Sequence, residues 1–313
     1  MSSADDSLMA RLPSNLVSVF TQALKSYQIS NATFRVLCSL THSSIASAPT
    51  EAPAPHPPQV PPKSLLVLDS SFNPPTLAHQ RMTLSALSDH GQLNTGSSYK
   101  SRVLLLLAIN NADKAPKPAA FPQRLAMMYI FAQDLLNSTA TEVGHKSECE
   151  GVDIAVTTEP YFHAKASAIA TSDFYQGSPG TEQIYLTGFD TLIRIFNPKY
   201  YPDNSMAASL DPFFLHSRLR VTMRPDAEWG DAAAQRAYLE ELRAGELERV
   251  GGRIAWADRI EMVEGRKDGE EVVSSTKVRD AVLRKDWGAL KMLVSEDVAA
   301  WIREEGLYGE EST

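Results

Sequence analysis

Short, nearly unbroken apolar runs recur along this chain, each followed by a stretch long enough for a helix. That alternation restricts the fold more than any other feature. Leu65 to Leu68 and Val103 to Ile109 are the clearest runs. A strand that is apolar on both faces must be covered on both, the condition of a central strand in a parallel sheet clad by helices. Val152 to Thr157, Ile184 to Leu186 and Leu219 to Met223 supply further strands, and Ile254 to Ala257 and Ile260 to Val263 one or two more. Helices are expected over Thr76 to His90 and Pro122 to Leu136. Near the end, Ser295 suits an N-cap, Glu296 and Asp297 a first helical turn, and Gly306 a stop.

Residues 1–63 read differently from residues 64–313. Ser14 can cap a helix with Leu16, Val19, Phe20, Ala23, Leu24 and Tyr27 on one face, and Phe34 to Leu40 can form a strand. From Thr41 to Lys63 the composition turns to Ser, Ala and Pro, which cannot build a core and predicts a mobile or extended linker. The division expected is an N-terminal extension with a Pro-rich linker over 1–63 and a catalytic domain over 64–313.

The net charge of −8 gives no overall attraction to a nucleic acid polymer or an anionic membrane. Anion binding must come from local donors. No apolar run approaches the roughly 20 residues of a membrane-spanning helix, and the acidic start lacks the layout of a signal peptide. The two cysteines, Cys38 and Cys149, have no metal-ligand spacing. A cytoplasmic or nuclear protein is expected, with the N-terminal arm available to a protein partner.

Four clusters carry chemistry. The first, Asp69-Ser70-Ser71-Phe72-Asn73-Pro74-Pro75-Thr76-Leu77-Ala78-His79, follows the first core strand. If Thr76 opens a helix, His79 lies one turn on, and free N–H groups at the helix start join both side chains in an anion site. The second, Ser274-Ser275-Thr276-Lys277-Val278-Arg279, places hydroxyls at a helix start with Ser275 or Thr276 as cap. Arg279, one turn below, can reach the same anion with a bidentate fork. The third, Asn111-Ala112-Asp113-Lys114 leading to Arg124, sets Lys114 and Lys117 near the carboxyl edge of the sheet. The fourth is Leu186-Thr187-Gly188-Phe189-Asp190, where Asp190 is either a ligand contact or a simple helix cap. Each cluster alone also fits an ordinary turn or a capped surface helix.

Ser71 to His79 resembles the signature loop of nucleotidyltransferases with a (His/Thr)-x-x-His element, and most closely that of nicotinamide mononucleotide adenylyltransferases; the N-terminal helix and Pro-rich tract resemble an extension of fungal members. Ser70 stands where that family has Gly, and Ala78 replaces a Gly found before the His in many relatives. The resemblance implies a Rossmann-like parallel sheet of roughly five to six strands, with helices on both faces and a C-terminal helical tail. It implies His79, Thr76 and Arg279 as catalytic groups, and Ser70, Ser71, Phe72, His79, Ser275, Thr276, Lys277 and Arg279 as ATP contacts. It implies Asn73, Lys114, Phe162, Gly188, Asp190 and Arg224 as contacts to the second substrate, with Phe162 as a stacking ring.

The activity implied is transfer of AMP from ATP to nicotinamide mononucleotide, giving NAD and pyrophosphate. Mg²⁺ would come with ATP, and no protein metal site is expected. Two other readings remain open: adenylyl or cytidylyl transfer to another phosphate acceptor, and a catalytically weak nucleotide-binding adaptor.

Overall fold

The computed structural model describes residues 12–13, 15–46, 52–93, 101–110, 119–140, 149–175, 180–201, 205–225, 228–265 and 270–309. Ser14, the expected cap of the first helix, and Lys114 and Lys117, with the loop around them, lie outside the described residues.

The first elements are helix α1 (Leu16–Gln28), strand β1 (Phe34–Leu40) and a short helix α2 (His42–Ala46). An alternating series follows: β2 (Ser64–Asp69), α3 (Leu77–Leu93), β3 (Ser101–Ala108), α4 (Phe121–Ala140), β4 (Cys149–Thr157), α5 (Phe162–Ala170), β5 (Glu182–Gly188) and α6 (Phe189–Ile195). The last stretch holds α7 (Met206–His216), β6 (Ser217–Thr222), α8 (Ala232–Arg243), β7 (Ile260–Val263), α9 (Ser275–Leu283), α10 (Trp287–Lys291) and α11 (Glu296–Glu304). Ile254 to Ala257, read as a strand, lies in a 3₁₀ helix, Ile254–Arg259; the strand begins at Ile260.

The strands form one sheet in the order β1-β4-β3-β2-β5-β6-β7. All neighbours are parallel except β1, which runs antiparallel to β4. Among the described residues the sheet therefore has seven strands rather than five or six, and the N-terminal extension contributes one of them. β1 carries an almost unbroken buried run, so β4 is covered at what would otherwise be its open edge.

Helices α1, α3, α4 and α9 to α11 close one face, where Leu66, Leu68, Leu105 and Ile154 meet Phe20, Met127 and Ile302. Helices α5 to α8 close the other, around Leu65, Val67, Tyr185 and Leu192. α1 buries Leu16, Phe20, Leu24 and Tyr27, the face that its periodicity marks. Among the described residues no helix is long and apolar enough to cross a membrane.

The Ser/Ala/Pro tract, expected as a linker, begins as helix α2. Its described remainder, 52–63, is tied to the domain at His56 and again at Pro62 and Lys63, whose carbonyls accept from Thr181 Oγ1 at 2.7 Å and the Glu182 N–H at 3.0 Å. The His56 N–H donates to Ser39 Oγ at 3.0 Å, and Arg102 Nη2 donates to the His56 carbonyl at 3.0 Å. Ser39, Arg102 and Tyr175 all donate to the buried Asp153 carboxylate, so this is a charged network satisfied on every side.

Adjacent strands β2 and β5 send their following helices to opposite faces of the sheet, α3 to one and α6 to the other. The crevice this opens at their carboxyl ends is the usual ligand position in an open α/β sheet.

Candidate active site

A cavity of about 410 Å³ occupies that crevice. Ser70, Thr76, His79, Gly188, Asp190, Arg224 and Ser275 line it, which brings together residues drawn from across the chain. Ser71 is exposed on the loop, and Phe72, Asn73, Thr76 and His79 shape the turn beneath it.

The loop after β2 is held tightly. Phe72 has a φ of +43°, a conformation an L-residue adopts only where its surroundings enforce it. Its ring is fully buried against His79, at 5.6 Å between centroids, and Phe131, at 6.5 Å. Phe72 therefore has only its main chain to present to a ligand. Asn73, expected at the second substrate, is buried, and its Oδ1 accepts from the Ala119 N–H at 2.7 Å and from Tyr308 Oη at 2.9 Å. Its side-chain oxygen fixes the loop, and only the amide NH₂ is left for a ligand.

His79 is locked from both ring nitrogens. The backbone N–H of Thr76 lies 3.0 Å from Nδ1, and Thr76 Oγ1 lies 2.8 Å from the same atom. A backbone amide can only donate, so Nδ1 is an acceptor and the proton sits on Nε2. Nε2–H faces Ser70 Oγ at 2.9 Å. Burial pushes the imidazole down to about 4, and a second proton would set Nδ1–H against the Thr76 N–H. The ring is thus a neutral donor at physiological pH. With Nε2 already protonated, it cannot take a proton from Ser70, which excludes a serine–histidine nucleophile of the hydrolase kind.

Two amides at the start of α3, counted in the sequence as anion donors, are spent within the protein. Thr76 N–H goes to His79, and Leu77 N–H goes to the Leu293 carbonyl at 2.9 Å.

The cap of α9 is Ser274, whose Oγ accepts from the Lys277 N–H at 3.3 Å. Ser275 and Thr276, the expected caps, are released for other contacts. Ser275 Oγ donates to the Pro74 carbonyl at 2.7 Å. Arg279 donates to the Asn73 carbonyl at 2.7 Å and to Thr276 Oγ1 at 3.1 Å. Lys277 turns outward to Glu271 at 2.9 Å. Thr276, Lys277 and Arg279, expected at ATP, are not among the residues that line the cavity.

On the far side, Gly188 caps α6 without a side chain. A Cβ there would lie 2.7 Å from Asp190 Oδ1, so glycine is what allows this carboxylate to fold back over the turn. The Arg224 N–H is held by the buried Gln235 Oε1 at 3.0 Å, which sets the loop after β6. Phe162, the expected stacking ring, is partly buried, meets Tyr185 edge-on at 5.4 Å and has Lys165 Nζ over it at 5.3 Å.

Two cavity residues stand within the sequence clusters without a role assigned to them there. Asp69 ends β2 and forms a buried ion pair with Lys165. Thr187, one residue before the end of β5, has a buried Oγ1 with no partner among the described residues, a hydroxyl available to a ligand. The signal for Asp69 was its place directly ahead of the loop; no local pattern announces Lys165. Among the described residues no group of three or more metal-ligating side chains occurs.

No protein-family model matches the chain. A Schizosaccharomyces pombe protein provisionally named a nicotinamide mononucleotide adenylyltransferase is 33% identical over 237 residues, spanning 75% of this chain and 82% of the relative. A Plasmodium falciparum nicotinic acid mononucleotide adenylyltransferase complexed with NaAD superposes with a TM-score of 0.42 at 13% identity, over 78% of this chain and 97% of that one. Thermotoga maritima TmcAL bound with alpha-thio ATP gives 0.36 at 14% identity, over 77% and 55%. Structural likeness at these scores carries no argument, whereas the sequence identity extends over most of both chains. By that identity the chain belongs to the nicotinamide mononucleotide adenylyltransferase family.

Proposed function

We propose that the protein transfers AMP from ATP to nicotinamide mononucleotide, forming NAD and releasing pyrophosphate. The observation that carries this reading is the neutral His79 donor, facing Ser70 at the β2/β5 crevice with Thr187, Asp190 and Ser275 around the same cavity. Family membership supports it independently.

An oxygen of the acceptor's 5′-phosphate attacks the α-phosphorus of ATP in line. One P–O bond forms there as the bond to the β-phosphate oxygen breaks, and pyrophosphate leaves with that electron pair. No protein nucleophile is needed, so the residues work by positioning and by donating hydrogen bonds to developing charge. His79, Ser70 and Thr76 attend the α- and β-phosphates; Ser275 attends the outer phosphates, with Thr276 and Arg279 beside it on the same helix start. Asp190 and Gly188 receive the second nucleotide, with Arg224 and Lys114 as further phosphate contacts. Mg²⁺ would come with ATP and would offset charge on its phosphates, with no residue of the chain assigned as its ligand.

The test is transfer by purified protein with ATP, Mg²⁺ and a panel of acceptors, nicotinamide and nicotinic acid mononucleotides included, following dinucleotide and pyrophosphate. Formation of NAD, lost by orders of magnitude in folded His79→Ala, is the expected result. A different preferred acceptor would replace the substrate assignment. ATP binding without transfer to any acceptor would favour the adaptor reading.

A further inference from the structure

The His79 donor is not free in the cavity; the Ser70 hydroxyl already engages it. Nε2–H is engaged by Ser70 Oγ at 2.9 Å, and both residues line the same wall. Ser70 is itself well placed, because its N–H donates to the Leu106 carbonyl at 3.3 Å and so prolongs the β2–β3 ladder by one residue. A serine hydroxyl that accepts from an imidazole N–H keeps its own proton to donate onward. Having accepted, it becomes the better donor, since hydrogen bonds in a chain polarise one another.

We propose that His79 acts on the transferring phosphoryl group through Ser70: the chain runs from the Thr76 amide to Nδ1, from Nε2–H to Ser70 Oγ, and from the Ser70 O–H to a phosphoryl oxygen. No proton changes owner along it. This inference rests on the adenylyl-transfer reading for its substrate, and it assigns direct contact to the serine rather than to the histidine.

Ser70→Ala and Ser70→Gly, with His79→Ala and the Ser70→Ala/His79→Ala pair, decide it. Both Ser70 variants should lower kcat by about tenfold or more with little change in the KM for ATP, as for loss of one donor to transition-state charge. Adding His79→Ala to Ser70→Ala should cost much less than His79→Ala costs the parent, because one chain is already broken. Ser70→Thr, which keeps the hydroxyl, should recover part of the rate. Parent-like kcat in Ser70→Gly, or fully additive losses in the pair, would overturn the relay.

The contact can be read without substrate, from ¹⁵N-histidine spectra of the ligand-free protein. The parent should show a single Nε2–H tautomer with a proton protected from exchange, and Ser70→Ala should lose that protection. A ring that titrates near 6.5 in the parent, or protection unchanged in Ser70→Ala, overturns the contact whatever the reaction. If the spectra are as expected and the parent transfers to no acceptor, adenylyl transfer fails and the chain is read from ATP binding. Ser70→Ala then weakens that binding, and unchanged affinity overturns the relay.

Discussion

Arg279 donates from Nη1 to the main-chain carbonyl of Asn73 at 2.7 Å, joining two segments 206 residues apart. Ser275 makes the parallel contact to the next carbonyl, Pro74. The loop after β2 and the start of α9 are thus one unit, and a change in either is felt at the other.

Substitution at Arg279 should therefore loosen the loop as well as remove a charge. Arg279→Lys can retain a single contact but not the fork that spans Asn73 and Thr276. Its kcat/KM for ATP should fall about tenfold or more, and Arg279→Ala should also lose about 1–2 kcal/mol of stability. Initial rates against ATP and denaturant midpoints check this. Unchanged ATP dependence with altered acceptor dependence would move α9 to the other substrate.

Removing residues 1–62 should cost folded protein, not just an appendage. The deletion strips β1 from β4, takes Phe20 and Leu24 off the core and removes Ser39 and His56 from the Asp153 network. The apolar edge of β4 would then be left uncovered, and the buried Asp153 carboxylate would keep Arg102 and Tyr175 but lose the Ser39 donor. The expected outcome is low soluble yield or a sharply lower Tm. A truncated protein melting like the parent would show that the extension contributes little to stability.

Asp134 should make stability pH-dependent in a direction opposite to that of most carboxylates. Burial, reinforced by Asp297, raises its carboxyl to about 7, although Ser295 Oγ donates to it at 2.6 Å. The unfolded chain loses this proton near the ordinary aspartate value while the folded chain keeps it. The associated stability is thus fully present below about pH 4 and is lost as pH rises to about 7, on the order of 2–4 kcal/mol. Asp134→Asn, which can still accept from Ser295, should match the parent near pH 4 and exceed its denaturant midpoint at pH 8. Parallel midpoints at both pH values would count against a protonated Asp134.

Gly188→Ala should act through Asp190. The added methyl would sit 2.7 Å from Asp190 Oδ1 and force that carboxylate off the turn. Acceptor KM should rise severalfold, about as in Asp190→Ala, with ATP KM changed less. Equal effects on both substrates would place Asp190 between them.

Much of this protein was legible residue by residue, because the signals were local. Continuous apolar runs named β2 to β6, and a run of seven residues named β1 within its own bounds. Ser295 caps α11, accepting from the Val298 N–H at 3.3 Å, and Gly306 ends the helix region with a φ of +60°. The loop from Ser70 to His79 was readable because Thr76 and His79 interact at helical spacing, a relation that sequence preserves. Other features depend on partners brought together from far along the chain. β1 could be read as a strand but not as the antiparallel edge of β4, since pairing is settled by which edge remains uncovered. Ser274 rather than Ser275 caps α9, because the loop carbonyl of Pro74 arrives to claim the Ser275 hydroxyl. Asp69 meets Lys165, and Arg279 meets Asn73, only after the sheet has set their strands and helices side by side. Periodicity and capping determine the elements and the chemistry they carry; the burial of both sheet faces decides which of those groups meet, because only packing brings distant donors and acceptors within bonding distance.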